Sequence, residues 1–342
     1  MKGVLGIIFN DAHLKAGNEL EVLESVRHLI EYAVANEINR VFFAGDLFDS
    51  RSFQRQSVLK TLELILDEMH EAGLTLWLFP GNHDKTIYAS YDSFLDVFRH
   101  HPCVKFNREI EVIEVDGISI TLLPFFSDDM LIPMLEEAKG GDVLLSHFEM
   151  AGSTHLGKTS KKTSISAKLL SKWKKVYLGH YHNHHEITKN IVHLPSLRQE
   201  SFGEDNNKGF TLLYDDLSYE IVKGRFREYR KVCINIDEVN TSEIKALINE
   251  YKNNEDTIRF EFTGEDSKLK ALDKSLFKGT NIDLKIKFAE KFDLNDEDFE
   301  LPTVVEHYNK EDVYTSFEEF CKEKGHDHKQ GVALIKEFFE NR

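Results

Sequence analysis

Five short segments of this chain carry side chains of the types that can bind metal ions: Asp11-Ala12-His13, Gly45-Asp46-Leu47-Phe48-Asp49, Gly81-Asn82-His83-Asp84, Ser146-His147 and Gly179-His180-Tyr181-His182. In extended backbone, residues two apart point to the same side, so Asp11 with His13, and His180 with His182, can each face a single point. Carboxylate oxygens, an amide oxygen and imidazole nitrogens together suit manganese, iron or zinc, whereas an all-oxygen cage suits magnesium or calcium. No cysteine stands in any of the five. Taken singly each segment is ordinary, because an isolated histidine is more often a satisfied polar residue than a ligand and Gly-Asp pairs are common turns. Five in succession, each after an apolar run, point jointly to a metal site. Gly45, Gly81 and Gly179 immediately precede candidate ligands, consistent with tight turns or close backbone approach to an ion or a phosphate.

Those segments need a scaffold, and the pattern around them supplies one. Apolar, β-rich runs alternate with stretches of helical period. Strands are predicted over Val4 to Phe9, Arg40 to Phe43, Leu74 to Phe79, Ile118 to Leu123, Asp142 to Leu145 and Lys175 to Leu178. Helices are predicted near 19–36, 54–72, 92–100 and 164–174, which makes the class α/β. Ligand sites in open α/β sheets gather beyond the carboxyl ends of strands, so the chain delivers its metal-binding residue types to one rim.

After about residue 230 the texture changes. YRKVCINI, a helical stretch from Ser242 to Tyr251, TIRFEF, a helical stretch near 265–275 and IDLKIKF predict a small α+β domain over 229–290. An acidic linker over 291–312, containing FDLNDEDFELP, precedes a helical tail over 313–342. Thr315 or Ser316 with Glu318 or Glu319 could form a capping box at the start of that tail. Its apolar stripe (Phe317, Phe320, Leu334, Ile335, Phe338, Phe339) fits packing on its own domain or on a partner.

The order D-x-H, G-D-x-x-D, G-N-H-D, an isolated His and G-H-x-H resembles the calcineurin-like metallophosphoesterase superfamily, over roughly residues 4 to 185. The resemblance implies an α/β layered sandwich of β-sheets flanked by helices over 1–228, with the small α+β domain as a cap. It implies two divalent ions, one held by Asp11, His13, Asp46 and His182 and the other by Asp46, Asn82, His147 and His180. Asn10 departs from the pattern, since Ser or Gly more often precedes the first Asp. Two ions about 3.5 to 4 Å apart clamp a phosphate, lower the pKa of bound water and stabilise in-line displacement without a covalent enzyme intermediate. His83 is then the candidate to protonate the leaving oxygen, with Asp84 orienting it; the alternative is that His83 only supports the ligands.

Subfamily features are fewer. Protein phosphatases of this class read GDxVDRG and GNHE, whereas this chain reads GDLFDSR and GNHD, which counts against them. LPSLRQESFGEDNNKGF, from Leu194 to Phe210, is similar to a segment of SbcD-type DNA-repair nucleases and their phage counterparts. Ser196, Arg198, Phe202, Gly203, Glu204, Lys208 and Gly209 carry that similarity. It implies a manganese-dependent 3'-to-5' exonuclease and endonuclease of DNA recombination, repair and replication. It also implies a homodimer joined through the helices after the second and third motifs, and a tail that docks on an SbcC-type coiled-coil ATPase. A small-molecule phosphodiesterase or phosphatase is the alternative enzyme, and a DNA-end architectural subunit the alternative outside enzymes.

Length and charge set the outer limits. The 342 residues exceed the usual single-domain size, and 41% hydrophobic with 30% charged residues is a soluble globular composition. No apolar run reaches the 18 or so residues of a membrane span, and the cytoplasm, of a phage host if the chain is phage-encoded, is the expected location. Cys103, Cys233 and Cys321 fit neither a disulfide framework nor a zinc knuckle. A net charge of -16 weighs weakly against nucleic acid, but residues 231–342 hold 26 acidic and 17 basic side chains, leaving only -7 on the first 230. Local positive charge is supplied by Arg51, Arg55, Lys158, Lys161 and Lys162, and by Lys168, Lys172, Lys174 and Lys175. These lysines could form a solvated helix face or contact the DNA backbone.

Overall fold

The computed structural model describes residues 2–155, 158–159 and 163–288. The chain opens with β1 (Val4–Phe9), α1 (Glu19–Ala35), β2 (Arg40–Ala44), α2 (Gln56–Glu71), β3 (Thr75–Phe79) and the short β4 (Val104–Phe106). These four strands run parallel in one sheet. A second sheet takes up β5 (Glu111–Val115), β6 (Ile118–Leu123), α3 (Asp128–Glu137) and β7 (Gly141–His147). After a small hairpin, β8 (Thr154–His155) with β9 (Lys158–Thr159), and α4 (Ala167–Leu170), it gains β10 (Trp173–Gly179), β11 (His185–Thr188) and β12 (Ile191–His193). The chain then returns to the first sheet with the antiparallel pair β13 (Gly209–Tyr214) and β14 (Tyr219–Lys223). Among the described residues the strand orders are β14-β13-β1-β2-β3-β4 and β11-β12-β10-β7-β6-β5.

Side-chain alternation shows why the two sheets stack face to face. In β2, Val41 and Phe43 pack under α1 and α2, against Val22, Leu29, Leu62 and Leu66. Phe42 and Ala44 point the other way and meet Val143, Leu145 and Tyr177 of the second sheet. In β10, Val176 and Leu178 turn outward to Leu131 and Leu135 of α3 and Leu170 of α4. The period of two thus builds four layers, helices, sheet, sheet, helices, as the family resemblance implied. Each fully buried Leu, Val or Phe in these seams contributes about 1.5 to 3 kcal/mol.

Three expected elements differ. The helix expected over 164–174 is only Ala167–Leu170, because Trp173 is buried and begins the in-out alternation of β10. The helix expected near 92–100 is a single 3-10 stretch, Phe94–Phe98, held at its start by a Ser93–Asp96 capping box. The helix α3 was not expected at all; Pro133 lies within it, and Pro usually argues against a helix interior.

The early strand also redirects the lysines. Lys172 Nζ caps the end of α3 by donating to Glu136 O and Ala138 O, at 2.9 and 2.6 Å. Lys174 pairs with Asp142 at 2.6 Å, and Lys175 Nζ donates to Lys189 O at 2.6 Å. They stand at the amino end of β10, and at about 3.3 Å per residue Lys174 is roughly 20 Å from His180. Lys172, Lys174 and Lys175 are therefore structural and do not face the candidate site. Lys161 and Lys162 lie outside the described residues, and of Lys158 only the backbone is described.

Residues 229–286 form a parallel unit of β15 (Tyr229–Asn235), α5 (Thr241–Tyr251), β16 (Thr257–Thr263), α6 (Asp266–Ala271) and β17 (Asp283–Ile286). Its own core joins Ile234, Ile244, Ile248, Phe260, Phe262 and Phe277. Asn240 caps α5, accepting from the backbone N–H of Ser242 and Glu243. The linker expected over 291–312 and the tail over 313–342 lie outside the described residues. Cys103 is buried and Cys233 exposed, neither in a disulfide. Among the described residues, no helix is long and apolar enough to cross a membrane.

Candidate metal centre

The loops after β1 and β2 are clipped together by backbone bonds. Asp11 N donates to Gly45 O at 2.9 Å, His13 N to Asp46 O at 3.2 Å and Leu14 N to Leu47 O at 2.7 Å. Asp11, His13, Asp46 and His180 all have positive φ (49°, 45°, 60° and 89°), a left-handed backbone that non-glycine residues rarely adopt. Four strained residues at four candidate ligands mark a functional locus. Gly179 is needed for closeness: a Cβ there would lie 2.5 Å from Ala44 O and 2.7 Å from His147 Nδ1.

All seven candidate ligands converge. His13 Nε2 and His182 Nε2 face each other at 3.1 Å, each 3.8 Å from Asp11 Oδ1. Asn82 Oδ1 lies 3.1 Å from His147 Nε2 and 2.9 Å from His180 Nδ1. Asp46 Oδ2 lies 3.1 Å from His147 Nε2 and 3.8 Å from His13 Nε2, so one carboxylate borders both sets. Asp11-His13-His182 and Asp46-His147-His180 each bring their ligand atoms within 4.8 Å of one another, as does His13-Asp46-His83.

The set fits divalent cations. Among the described residues Asp11 Oδ1 is buried with no hydrogen-bond partner, an expensive arrangement unless a positive charge meets it. Its other oxygen is fully used, accepting from Asn10 Nδ2 at 2.5 Å and His180 N at 3.0 Å. Asn10 thus supports the first ligand by its amide. Burial works against ionised Asp11 and Asp46, yet the facing histidines, His147 foremost, hold both well below the usual carboxylate range. Burial also opposes a proton on His147, but Asp46 and Asp11 push it up to about 9. His180, buried and beside His147, is pushed down to about 3. Two carboxylates in a closed space call for positive charge, and a bound cation would displace the histidine protons.

His83 stands beside this set with a defined tautomer. Its Nδ1 donates to Asp49 O at 2.6 Å, and its Nε2 accepts from Arg51 Nη2 at 2.7 Å. Burial lowers its pKa, while Asp46 opposes that. Asp84, expected to orient His83, does something else. Its carboxylate accepts from the backbone N–H of Asp46, Leu47, Phe48 and Gly81 at 2.9 to 3.0 Å, which ties the β2 and β3 loops together. Four convergent N–H donors outcompete a neighbouring side chain for two oxygens. Arg51 is at the site, with its guanidinium also on Tyr88 OH. Arg55 is exposed at the start of α2 and, among the described residues, does not line the site's cavity.

Residues that sequence reasoning did not place include Asp49, whose carbonyl holds His83 and whose carboxylate lies 3.6 Å from His13 Nδ1. Its motif gave only a spacing. His193, to which the sequence lends no metal role, is buried behind the ligands, donating Nδ1–H to Gly179 O at 3.0 Å and meeting Ser153 Oγ at 2.9 Å. The site opens through a cavity of about 400 Å³ lined by His13, Lys15, Asp49, His83, His180, Tyr181, His182 and Glu200. Lys15, its one lining lysine, pairs with Asp49 and Glu200.

A profile described as calcineurin-like phosphoesterase matches residues 7–222. Exonuclease subunit 1 of Enterobacteria phage T4 is 25% identical over 194 residues, covering 55% of this chain and 56% of its own length. A putative phosphoesterase of invertebrate iridescent virus 6 is 22% identical over 222 residues, 60% of this chain and 74% of that protein. Among solved structures, a dimetal phosphatase from Danio rerio covers 62% of this chain and 93% of its own at 11% identity and TM-score 0.43. The match thus spans little more than half of the phage T4 relative.

Proposed function

Because the chain belongs to the calcineurin-like phosphoesterase family, whose members use divalent metals, we propose that it is a DNA nuclease hydrolysing phosphodiester bonds at this site with two ions, manganese preferred. The observation that carries the hydrolytic part is Asp46 Oδ2 bordering both donor sets, with His83 at their open side. Asp11, His13, Asp46 and His182 would hold one ion, and Asp46, Asn82, His147 and His180 the other. When bound, such a pair activates water and neutralises charge developing on the phosphate. The remaining work falls to the chain. Asp46 Oδ1 accepts from His83 N at 2.7 Å and so fixes the third loop to the second. Asp49 O keeps the proton on His83 Nδ1, so only doubly protonated His83 can donate from Nε2 to a leaving oxygen. Arg51 Nη2 now donates to that same Nε2 at 2.7 Å, so the guanidinium would have to turn away, for example onto an anionic oxygen of the substrate, before Nε2 could donate.

Similarity to the phage T4 exonuclease subunit and the SFGEDNNKGF segment support DNA as substrate, with cleavage of DNA ends in recombination or repair. On this reading 229–290 caps the DNA, the protein acts as a homodimer, and segment 313–342 docks on an SbcC-type ATPase. One observation favours the second reading, a small-molecule phosphodiesterase: the cavity of about 400 Å³ is nucleotide-sized, and its lysine is neutralised by Asp49 and Glu200.

The deciding experiment is manganese-dependent degradation of end-labelled linear duplex DNA beside His83→Asn. The expected result is cleavage slowed by about 10² to 10⁴-fold in the variant with DNA affinity retained. No cleavage by the wild type, with rapid hydrolysis of a nucleotide phosphodiester, would select the second reading.

A further inference from the structure

Two-ion hydrolysis makes no direct use of the SFGEDNNKGF segment. Yet two of its charged side chains are buried against a candidate ligand. Glu204 is 3% and Lys208 0% exposed at the side chain. Glu204 Oε1 lies 3.0 Å from His182 Nδ1. Its Oε2 lies 3.4 Å from Lys208 Nζ and accepts from Glu200 N at 3.2 Å. Lys208 Nζ donates to His182 O at 2.5 Å and Asn183 Oδ1 at 2.8 Å. Ring and backbone of His182 are thus gripped by one ion pair.

An ionised carboxylate only accepts, so His182 Nδ1 carries the proton in this contact, and in the neutral ring that binds a metal Nε2 has the lone pair. Nε2 is the atom facing His13 Nε2 and Asp11 Oδ1. We propose that Glu204 is a positioning residue of the metal site, orienting the His182 ring and fixing its tautomer, with Lys208 holding the Glu204 carboxylate in place. This rests on the two-ion reading. Carboxylates behind metal-bound imidazoles raise ligand basicity, and their loss typically weakens metal affinity 10- to 100-fold. The same segment is anchored on its far side, where Phe202 packs edge-on to Tyr229 at 5.0 Å between centroids and lies 3.9 Å beneath the Arg259 guanidinium. The support for His182 is thereby fastened to the 229–286 unit.

The test is calorimetric titration of the full chain with Mn²⁺ alone, comparing Glu204→Ala, Glu204→Gln and Asp46→Asn, with circular dichroism to confirm folding. Glu204→Ala is expected to weaken one of the two binding steps about 10- to 100-fold and spare the other. Glu204→Gln, whose amide oxygen still accepts from Nδ1, is expected to recover most of that loss. Wild-type affinity at both steps in Glu204→Ala, or a Gln variant as weak as Ala, would overturn the inference while an Asp46→Asn loss leaves the two-ion reading intact. Unchanged binding in Asp46→Asn would overturn both. Should Glu204→Ala not fold, the folded Gln variant decides: a loss of more than about 10-fold at one step overturns the tautomer argument, and a smaller one supports it.

Discussion

Asp46→Asn is expected to slow phosphodiester hydrolysis by about 10³-fold or more, some 4 kcal/mol of barrier, and to weaken ion binding more than removing any single candidate histidine ligand. His13 and His180 each serve one donor set, whereas Asp46 Oδ2 borders both, 3.1 Å from His147 Nε2 and 3.8 Å from His13 Nε2. An amide of the same shape can keep the 2.7 Å bond from His83 N through its oxygen. It then presents N–H to the imidazoles and lacks the charge that draws two cations together. Steady-state kcat at saturating Mn²⁺, with the number of bound ions counted by calorimetry, measures this. A variant within tenfold of wild type that still binds two ions would remove Asp46 from its bridging place.

The second large effect falls on stability. Asp84 is fully buried and its two oxygens serve four backbone N–H groups. Asp84→Asn replaces one oxygen with a donor, which confronts at least one backbone N–H with another N–H and leaves it unsatisfied. Unmet buried donors cost about 1 to 3 kcal/mol each, and charge-assisted bonds are the strongest to lose. A destabilisation of about 3 to 5 kcal/mol is expected, lowering the melting temperature by roughly 10 °C. Burial and Asp46 push Asp84 up to about 6, so the carboxylate the loops need is present at neutral pH. Thermal melts at pH 7.5 decide: a drop under 2 °C would mean that the four bonds are dispensable.

The α/β alternation and the delivery of metal-binding residue types to one rim were legible because both rest on periodicity and on the residue types placed just past each strand, whereas the stacked sheets and the set of seven candidate ligands came from the family resemblance. Val41 and Phe43 against Phe42 and Ala44 write the two faces of β2 directly into the sequence. The end of a parallel strand is a place that topology fixes. The helix over 164–174 was drawn too long because Lys172, Trp173 and Lys174 are too short a run to show a period of their own, and only the pairing of β10 with β7, which begins at Trp173, gives them to the strand. Asp84 was misread because adjacency to His83 suggested a side-chain contact. Three of the four backbone N–H groups that claim it come from residues 46–48, more than thirty positions away. Glu204 and Lys208 were visible only as a resemblance, since nothing local links residue 204 to residue 182.

The candidate ligands are drawn from both layers of β-structure, Asp11, His13, Asp46 and Asn82 from loops after β1, β2 and β3, and His147 and His180 from the ends of β7 and β10. The candidate metal centre therefore straddles the seam between the two sheets. Shear of one sheet past the other by about an ångström would part donors in both sets, so the apolar seam between the sheets sets the mechanical tolerance of the chemistry. Phe42 and Tyr177, which are buried in that seam, help define the tolerance. Ions bridging the seam would act as rivets, and drift in the packing of this interior would register in the site before it registered in the fold.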